Sequence, residues 1–279
     1  VFDELFVNHV AAGEAGGILD VILNRLSSYL EKAMKLKSKV KGAMVYPASV
    51  LTISIAVVIL LLYKVVPVFD ELFRSMGSAL PGPTQFLVDA SRFVQGNILY
   101  LFVALIAGGF AFQRYYRTNR GRYRVDKLLL KLPIFGILFK KVAVAKFSRT
   151  LSTLLGSGVP ILEGLEIVSR TAGNRVVENA LLETRKSISE GKTIAEPLLK
   201  SKIFPSMVVQ MIGVGESTGA LDAMLAKIAD FYDQEVDAAV DAMTSLLEPV
   251  MMVFLGGIVG GMIVALYLPI FSMAGAIGG

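Results

Sequence analysis

Three stretches of the chain carry no charged residue: Gly42–Tyr63, Phe93–Gln113 and Pro249–Gly279. Each is apolar, and about 20 apolar residues at ~1.5 Å of helical rise cross the ~30 Å hydrocarbon layer of a bilayer. The pattern therefore predicts three transmembrane helices. Outside them, apolar positions recur at the helical period. Leu221, Leu225, Ile228, Tyr232, Val236, Ala239, Met243 and Leu246 lie three or four apart, which makes one continuous helical face running toward Pro249. Pro249 removes a backbone hydrogen bond and is placed to kink that helix where it enters lipid.

Shorter amphipathic helices precede it. One runs through Val144, Phe147, Leu151 and Leu154 to Gly156-Ser157-Gly158. A second opens near Pro160 and ends by Gly173; a third is capped by Asn174, follows Val177, Leu181, Thr184 and Ile188, and stops at Gly191. A shorter piece spans Ile194 to Leu199, before a turn at Phe204-Pro205. Short glycine-bearing connections suit an antiparallel helical bundle, and no segment calls for a strand.

The chain repeats itself. An ungapped offset of 202 residues places Phe2, Val7, Gly13, Glu14, Gly17, Leu19, Asp20 and Leu23 on Phe204, Val209, Gly215, Glu216, Gly219, Leu221, Asp222 and Leu225. The register holds into the apolar stretches, where Pro47 meets Pro249, Pro67 meets Pro269 and Phe69 meets Phe271. Each copy reads as a Gly-Glu turn, a long helix, a proline at the start of a span, and a proline at its end. The fold class that follows is an all-α polytopic membrane protein with three transmembrane helices and cytoplasmic helical bundles in a duplicated arrangement. Its parts are a remnant of a first bundle (1–41), spans at 42–66 and 93–113, a periplasmic loop (67–92), a second bundle (114–248), and a last span with a periplasmic end (249–279). The first copy lacks the helices that precede the second, so unit repetition predicts about 60 to 80 further residues before Val1, and the parent gene is expected to encode them.

Charge sets the orientation. Lys32, Lys35, Lys37, Lys39 and Lys41 precede the first span with no acid among them, and Arg114–Lys141 holds nine basic residues against the single acid Asp126. The segment Lys64–Arg92 is balanced. Basic flanks stay on the cytoplasmic side, which places both bundles there and the intervening loop outside. The formal charge of +5 needs no nucleic acid, because the basic residues cluster beside membrane ends, where each gains about 1 kcal/mol from anionic lipid.

The inventory of reactive groups is short, and the reading is not an enzyme, with no catalytic, cofactor or metal residues. Cysteine is absent and His9 is the only histidine, so neither a Cys zinc site nor a His-pair metal site can be built. Gly191-Lys192-Thr193 has the end of a phosphate-binding loop, but Lys186 stands where its first glycine belongs. A transporter needs ionisable groups inside its spans, and the nearest candidates here, Lys64 and Glu248, sit at the interfaces. Two features stay open between structural and partner-binding readings. Gly256, Gly257, Gly260 and Gly261 give small residues four apart, suited to close packing inside the chain or to a seam with another transmembrane helix. Gly13-Glu14 and Gly215-Glu216 recur at one place in the repeat, where the acid can stabilise a helix N-terminus or meet a basic partner.

Taken together, Phe147 to Val168 (FSRTLSTLLGSGVPILEGLEIV), Thr171-Ala-Gly-Asn, Ile188-Ser-Glu-Gly-Lys-Thr, the two Gly-Glu motifs and Leu266-Tyr-Leu-Pro-Ile-Phe resemble the type II secretion F and type IV pilus platform proteins. The resemblance covers essentially the whole chain. It implies a multi-pass protein of the bacterial inner membrane that forms homo-oligomers between a hexameric cytoplasmic assembly ATPase, or a retraction ATPase, and the pilins, beside inner-membrane alignment proteins. On that view it couples the motor to pilin extraction and insertion, and hydrolyses nothing itself. Ile167-Val-Ser-Arg-Thr-Ala-Gly-Asn is closer to the pilus branch than to the secretion branch.

Overall fold

The computed structural model describes residues 19–75, 80–133 and 135–277, and among them every regular element is helical. His9, Gly13 and Glu14 lie outside the described residues. The order is α1 (Leu19–Leu60), a π-helical turn (Leu61–Val65), α2 (Val66–Ser75), α3 (Gly82–Tyr116), α4 (Asn119–Leu129), α5 (Phe135–Gly156), α6 (Ile161–Thr171), α7 (Arg175–Ser189), α8 (Ala195–Lys200), α9 (Ser206–Thr218) and α10 (Leu221–Ile277). The helices expected between residues 144 and 199 are present as α5 to α8. Asn174 caps α7 as expected, its side chain accepting from the backbone N–H of Val176 (2.9 Å) and Val177 (3.3 Å).

The chain forms two compact units. The first comprises the described residues up to Gly42 together with Tyr115–Met243. Its core is made by Leu26 of α1, Val144, Phe147, Leu151 and Leu154 of α5, Leu165 of α6, Leu181 of α7, Ile212 of α9, and Leu225, Ile228 and Val236 of α10, all buried. Phe147 and Phe204 meet edge to face at 5.0 Å. The basic stretch after the second span, read from sequence only as a flank, contains the helix α4. Its single acid, Asp126, is 2% exposed and accepts from Tyr116 Oη (3.0 Å) and from the Arg175 N–H (2.6 Å). One buried carboxylate thereby joins α4 to the electropositive N-terminus of α7.

The second unit comprises Ala43–Arg114 and Thr244–Gly279. Three helices here are long and apolar enough to cross a membrane, within Leu26–Ser75, Gly82–Tyr116 and Leu221–Phe271. Large apolar side chains such as Leu99, Leu105, Phe110 and Val253 stand at least 70% exposed, which is tolerable only in hydrocarbon. The buried cluster is small: Val66, Leu87, Val88, Met262, Ala265 and Leu266.

Residues 67–92 were expected as a loop, yet helix continues through Val66–Ser75 and resumes at Gly82. Four of the six balanced charges, Asp70, Arg74, Asp89 and Arg92, are paired. Asp70 accepts from Arg74 Nε (3.0 Å) one turn on and from Arg92 Nη2 (2.7 Å) on α3, while Val66 and Phe73 turn inward from the same helix and are buried.

The prolines explain how α3 is held. Pro67 has no N–H, so the carbonyls that would accept it, Tyr63 O in an α-helix and Leu62 O in a π-turn, are released. Gln95 Nε2 donates to Tyr63 O (3.0 Å) and Ser91 Oγ to Leu62 O. Pro269 releases Ala265 O in the same way, and Thr84 Oγ donates to it. The repeat offset carries Tyr63 onto Ala265, so equivalent carbonyls of the two copies are both taken up by α3. Thr84, Val88, Ser91 and Gln95 share one helical face, and its first three members are almost fully buried. Thr84→Val is expected to lower the thermal unfolding midpoint in detergent, at a cost of about 1 kcal/mol for a hydrogen bond in this environment. Pro269→Ala restores the missing N–H, so in that background Thr84→Val should cost measurably less; equal losses in both backgrounds would sink the account.

Candidate functional site

Gly215 and Glu216 do not form a turn. They lie in the last turns of α9, because Val208, Val209 and Ile212 carry the helical period straight on to Gly215, and all four are buried. The turn itself falls at Gly219, whose φ of 73° is in the left-handed region that favours glycine. A Cβ on Gly215 would lie 3.0 Å from Leu221 Cα and 3.1 Å from Met224 Cβ, so this glycine lets α9 close onto the first turn of α10. Glu216 sits near the C-terminal end of its own helix, which the dipole disfavours, and reaches instead to the start of α8. Both carboxylate oxygens accept from the Ile194 N–H, at 3.0 and 3.1 Å. The acid thus serves the N-terminus of a neighbouring helix rather than the one expected from sequence.

The phosphate-loop fragment is likewise accounted for. Gly191 has a φ of 81° at the end of α7, and Lys192 Nζ lies 2.9 Å from Glu190 Oε2, a bond that pushes the lysine above its ordinary value.

The two copies of the repeat meet in both units, and they meet differently. In the first unit, α1 and α10 are joined by opposite charges. Lys32 pairs with Asp230 (3.0 Å); Lys39 pairs with Asp237 (3.0 Å) and approaches Asp241 (3.9 Å). From α5, Arg149 reaches Asp230 (2.8 Å) and Asp233 (2.6 Å), and Lys141 reaches Glu235 (2.7 Å). Lys32 and Lys39, assigned from sequence to a lipid-facing flank, are therefore partnered within the chain. The offset makes Asp237 the mate of Lys35 and Asp241 the mate of Lys39, so equivalent positions have taken opposite charge.

In the second unit the copies form an open apolar groove of about 510 Å³ between α1 and α10. Its walls are Val50, Ile53, Ser54 and Val57 on one side and Met252, Leu255, Gly256 and Val259 on the other. Every one of these is the repeat mate of a residue opposite: 50 with 252, 53 with 255, 54 with 256, 57 with 259. The groove has pseudo-two-fold walls. Gly256, Gly257, Gly260 and Gly261 have no heavy atom of another helix within 4 Å of where a Cβ would stand. Packing among the described residues makes no use of these glycines, and they leave one side of α10 flat and open.

The architecture now has a duplicated helix, three spans and paired copies, and comparison with known proteins assigns it. The model of the family described as type II secretion system (T2SS), protein F, matches residues 1–67 and 147–269, together more than half of the chain. The chain belongs to this family. Both matched segments end on the mates Pro67 and Pro269, so the family pattern coincides with the two copies. The chain is 57% identical over 277 residues to the type IV pilus assembly protein PilC of Myxococcus xanthus, covering 99% of this chain and 66% of that protein. It is 45% identical over 278 residues to the type IV pilus assembly protein PilC of Thermus thermophilus, covering 99% and 68%. To the type II secretion system protein F of Aeromonas hydrophila it is 34% identical over 273 residues, covering 98% and 70%. The chain thus spans about two thirds of the length of these relatives.

Thr84, Ser91, Gln95 and Asp126 were not singled out from sequence. The signals were present: polar residues on one face of α3, and one acid among nine bases. The charge pairing predicts that Lys39→Glu, which sets three acids together, lowers stability by up to about 1 kcal/mol. Lys39→Glu combined with Asp237→Lys should recover most of that loss in a thermal melt, whereas an additive double variant would show that the pair carries no interaction.

Proposed function

We propose that this protein is the inner-membrane platform of type IV pilus assembly, coupling a cytoplasmic hexameric ATPase to the extraction and insertion of pilins. The observation that carries the reading is identity along 99% of the chain to proteins named for pilus assembly, at 57% and 45%, against 34% for the secretion protein F. The architecture supports it. A platform must carry displacement between a soluble motor and lipid-embedded subunits, and helices α1 and α10 each run from a bundle into an apolar span. The protein works as a homo-oligomer beside inner-membrane alignment proteins and hydrolyses nothing itself. A platform role in type II secretion is the second reading, supported by the family model and by the 34% identity to the secretion protein F of Aeromonas hydrophila.

Both bundles face the cytoplasm in this proposal, on the basic flanks Lys32–Lys41 and Arg114–Lys141. The chain has no cysteine, so single-cysteine labelling needs no background removed. Ser75→Cys should react with an impermeant maleimide in intact spheroplasts, and Asn179→Cys only after the membrane is opened; the reverse pattern would invert the topology.

The functional assignment is tested by transplanting this chain into the matching two thirds of PilC in a Myxococcus xanthus strain lacking its own copy. Surface pili seen by electron microscopy support the proposal. A stable, membrane-inserted chimera that assembles none, but restores export in a strain lacking a secretion protein F, overturns it in favour of the second reading.

A further inference from the structure

The strongest unassigned feature lies between α4 and α7 in the first unit. Thr118 starts α4 by accepting from the Gly121 N–H (3.0 Å), and the helix then places Arg120, Tyr123 and Arg124 on one face. Arg175 and Asn179, four apart on α7, face the same space. With Asn119 these residues line an open cleft of about 390 Å³. The spacing of the two helices is fixed from below by Asp126, which holds the Arg175 N–H at 2.6 Å.

The cleft is lined by three guanidinium groups, two carboxamides and a phenol, and by no carboxylate. Most of its donors have nothing to do inside the chain. Arg120, Asn119 and Asn179 form no side-chain hydrogen bond or ion pair with any described residue, and Arg124 reaches only Tyr115 Oη, at 3.5 Å. Arg175 pairs with Glu178 of its own helix. Tyr123 is covered on one face by the Lys127 ammonium at 5.7 Å, so its ring walls the site without supplying a negative group. Two guanidinium groups without a carboxylate partner, Arg120 and Arg124, lining a hollow of this size beside the Glu178-paired Arg175 make a receptor for an oxyanion, since their planar forks match the edges of a phosphate group. The cleft also opens immediately after a membrane-length helix: α3 ends at Tyr116 and α4 begins at Asn119.

We infer that Arg120, Arg124 and Arg175, with Asn119 and Asn179, form a binding site for a phosphate-bearing anion. The site is separate from the paired copies of the repeat and does not depend on the pilus reading. The phosphate comes from an acidic phospholipid headgroup or from a soluble phosphate, and the two sources are distinguished by experiment.

Native mass spectrometry of the full-length detergent-solubilised protein, with phosphatidylglycerol, phosphatidylcholine and inorganic phosphate as probes, provides the test. The parent should bind phosphatidylglycerol about tenfold more tightly than phosphatidylcholine, and Arg120→Gln/Arg124→Gln should abolish the preference. Lys186→Gln/Lys202→Gln, which removes the same charge elsewhere, should keep it. Asn179→Asp places a carboxylate in the cleft while leaving every arginine, and should weaken binding as well; circular dichroism confirms that each variant is folded. Arginine-dependent binding of inorganic phosphate, with no lipid preference, identifies a soluble source and equally supports the site. Probes that bind the arginine variant as tightly as the parent, control variants that lose binding equally, or a parent that binds no probe would each overturn the proposal.

Discussion

A backbone carbonyl released in lipid must find a donor, because hydrocarbon offers none. This one constraint organises the membrane unit. Prolines at equivalent places in the two copies release Tyr63, Leu62 and Ala265 carbonyls, and Gln95, Ser91 and Thr84 supply the donors. All three donors come from α3, which among the described spans is the one that belongs to neither copy of the matched pattern. The middle helix is therefore a cross-brace between two ends that would otherwise carry unsatisfied polar groups. Burial contributes as well, through Val88 against Met262 and Leu266, but the apolar cluster is small. In a bilayer, apolar packing against protein gains little over packing against lipid, so direction must come from hydrogen bonds and close fit.

Outside the membrane the same duplication is used in another way. There water competes for every polar group, and a single exposed ion pair adds little. The array from Lys32 and Lys39 to Asp230, Asp237 and Asp241 instead specifies which helices pair. A basic copy facing an acidic copy disfavours the pairing of either with its own kind. Arg149, 13% exposed and bridging Asp230 and Asp233, ties α5 to the same array.

The fold was legible in the sequence where one physical signal dominated. Charge-free runs gave the spans, spacings of three and four gave α5 to α8 and α10, and Asn174 and Gly191 ended their helices where the turn chemistry requires. The repeat was visible because duplication leaves identities at a fixed offset. What was hidden depended on tertiary partners. Balanced charge at 67–92 looks the same in a loop as in two helices whose Asp70 and Arg92 meet, and only the fold distinguishes them. Glu216 was expected to serve a helix start, and it does, but the start belongs to α8, twenty-two positions away in sequence. Likewise, the lone acid at 126 stands out among nine bases, but its burial depends on Tyr116 and on the Arg175 N–H of α7, which no local pattern places beside it.

The π-turn at Leu61–Val65 has no counterpart in α10, which passes Pro269 as an ordinary helix. A wider turn advances the residues beyond it out of phase with their mates, by up to the ~100° that one helical residue subtends. Phe69 consequently packs between Phe73 (6.0 Å) and Tyr267 (6.5 Å), while its mate Phe271 is 72% exposed. Two positions that began as the same residue of the same unit now have different neighbours. The halves of this protein are thus no longer spare parts for one another: an identical substitution made at both sites would damage one and pass almost unnoticed at the other.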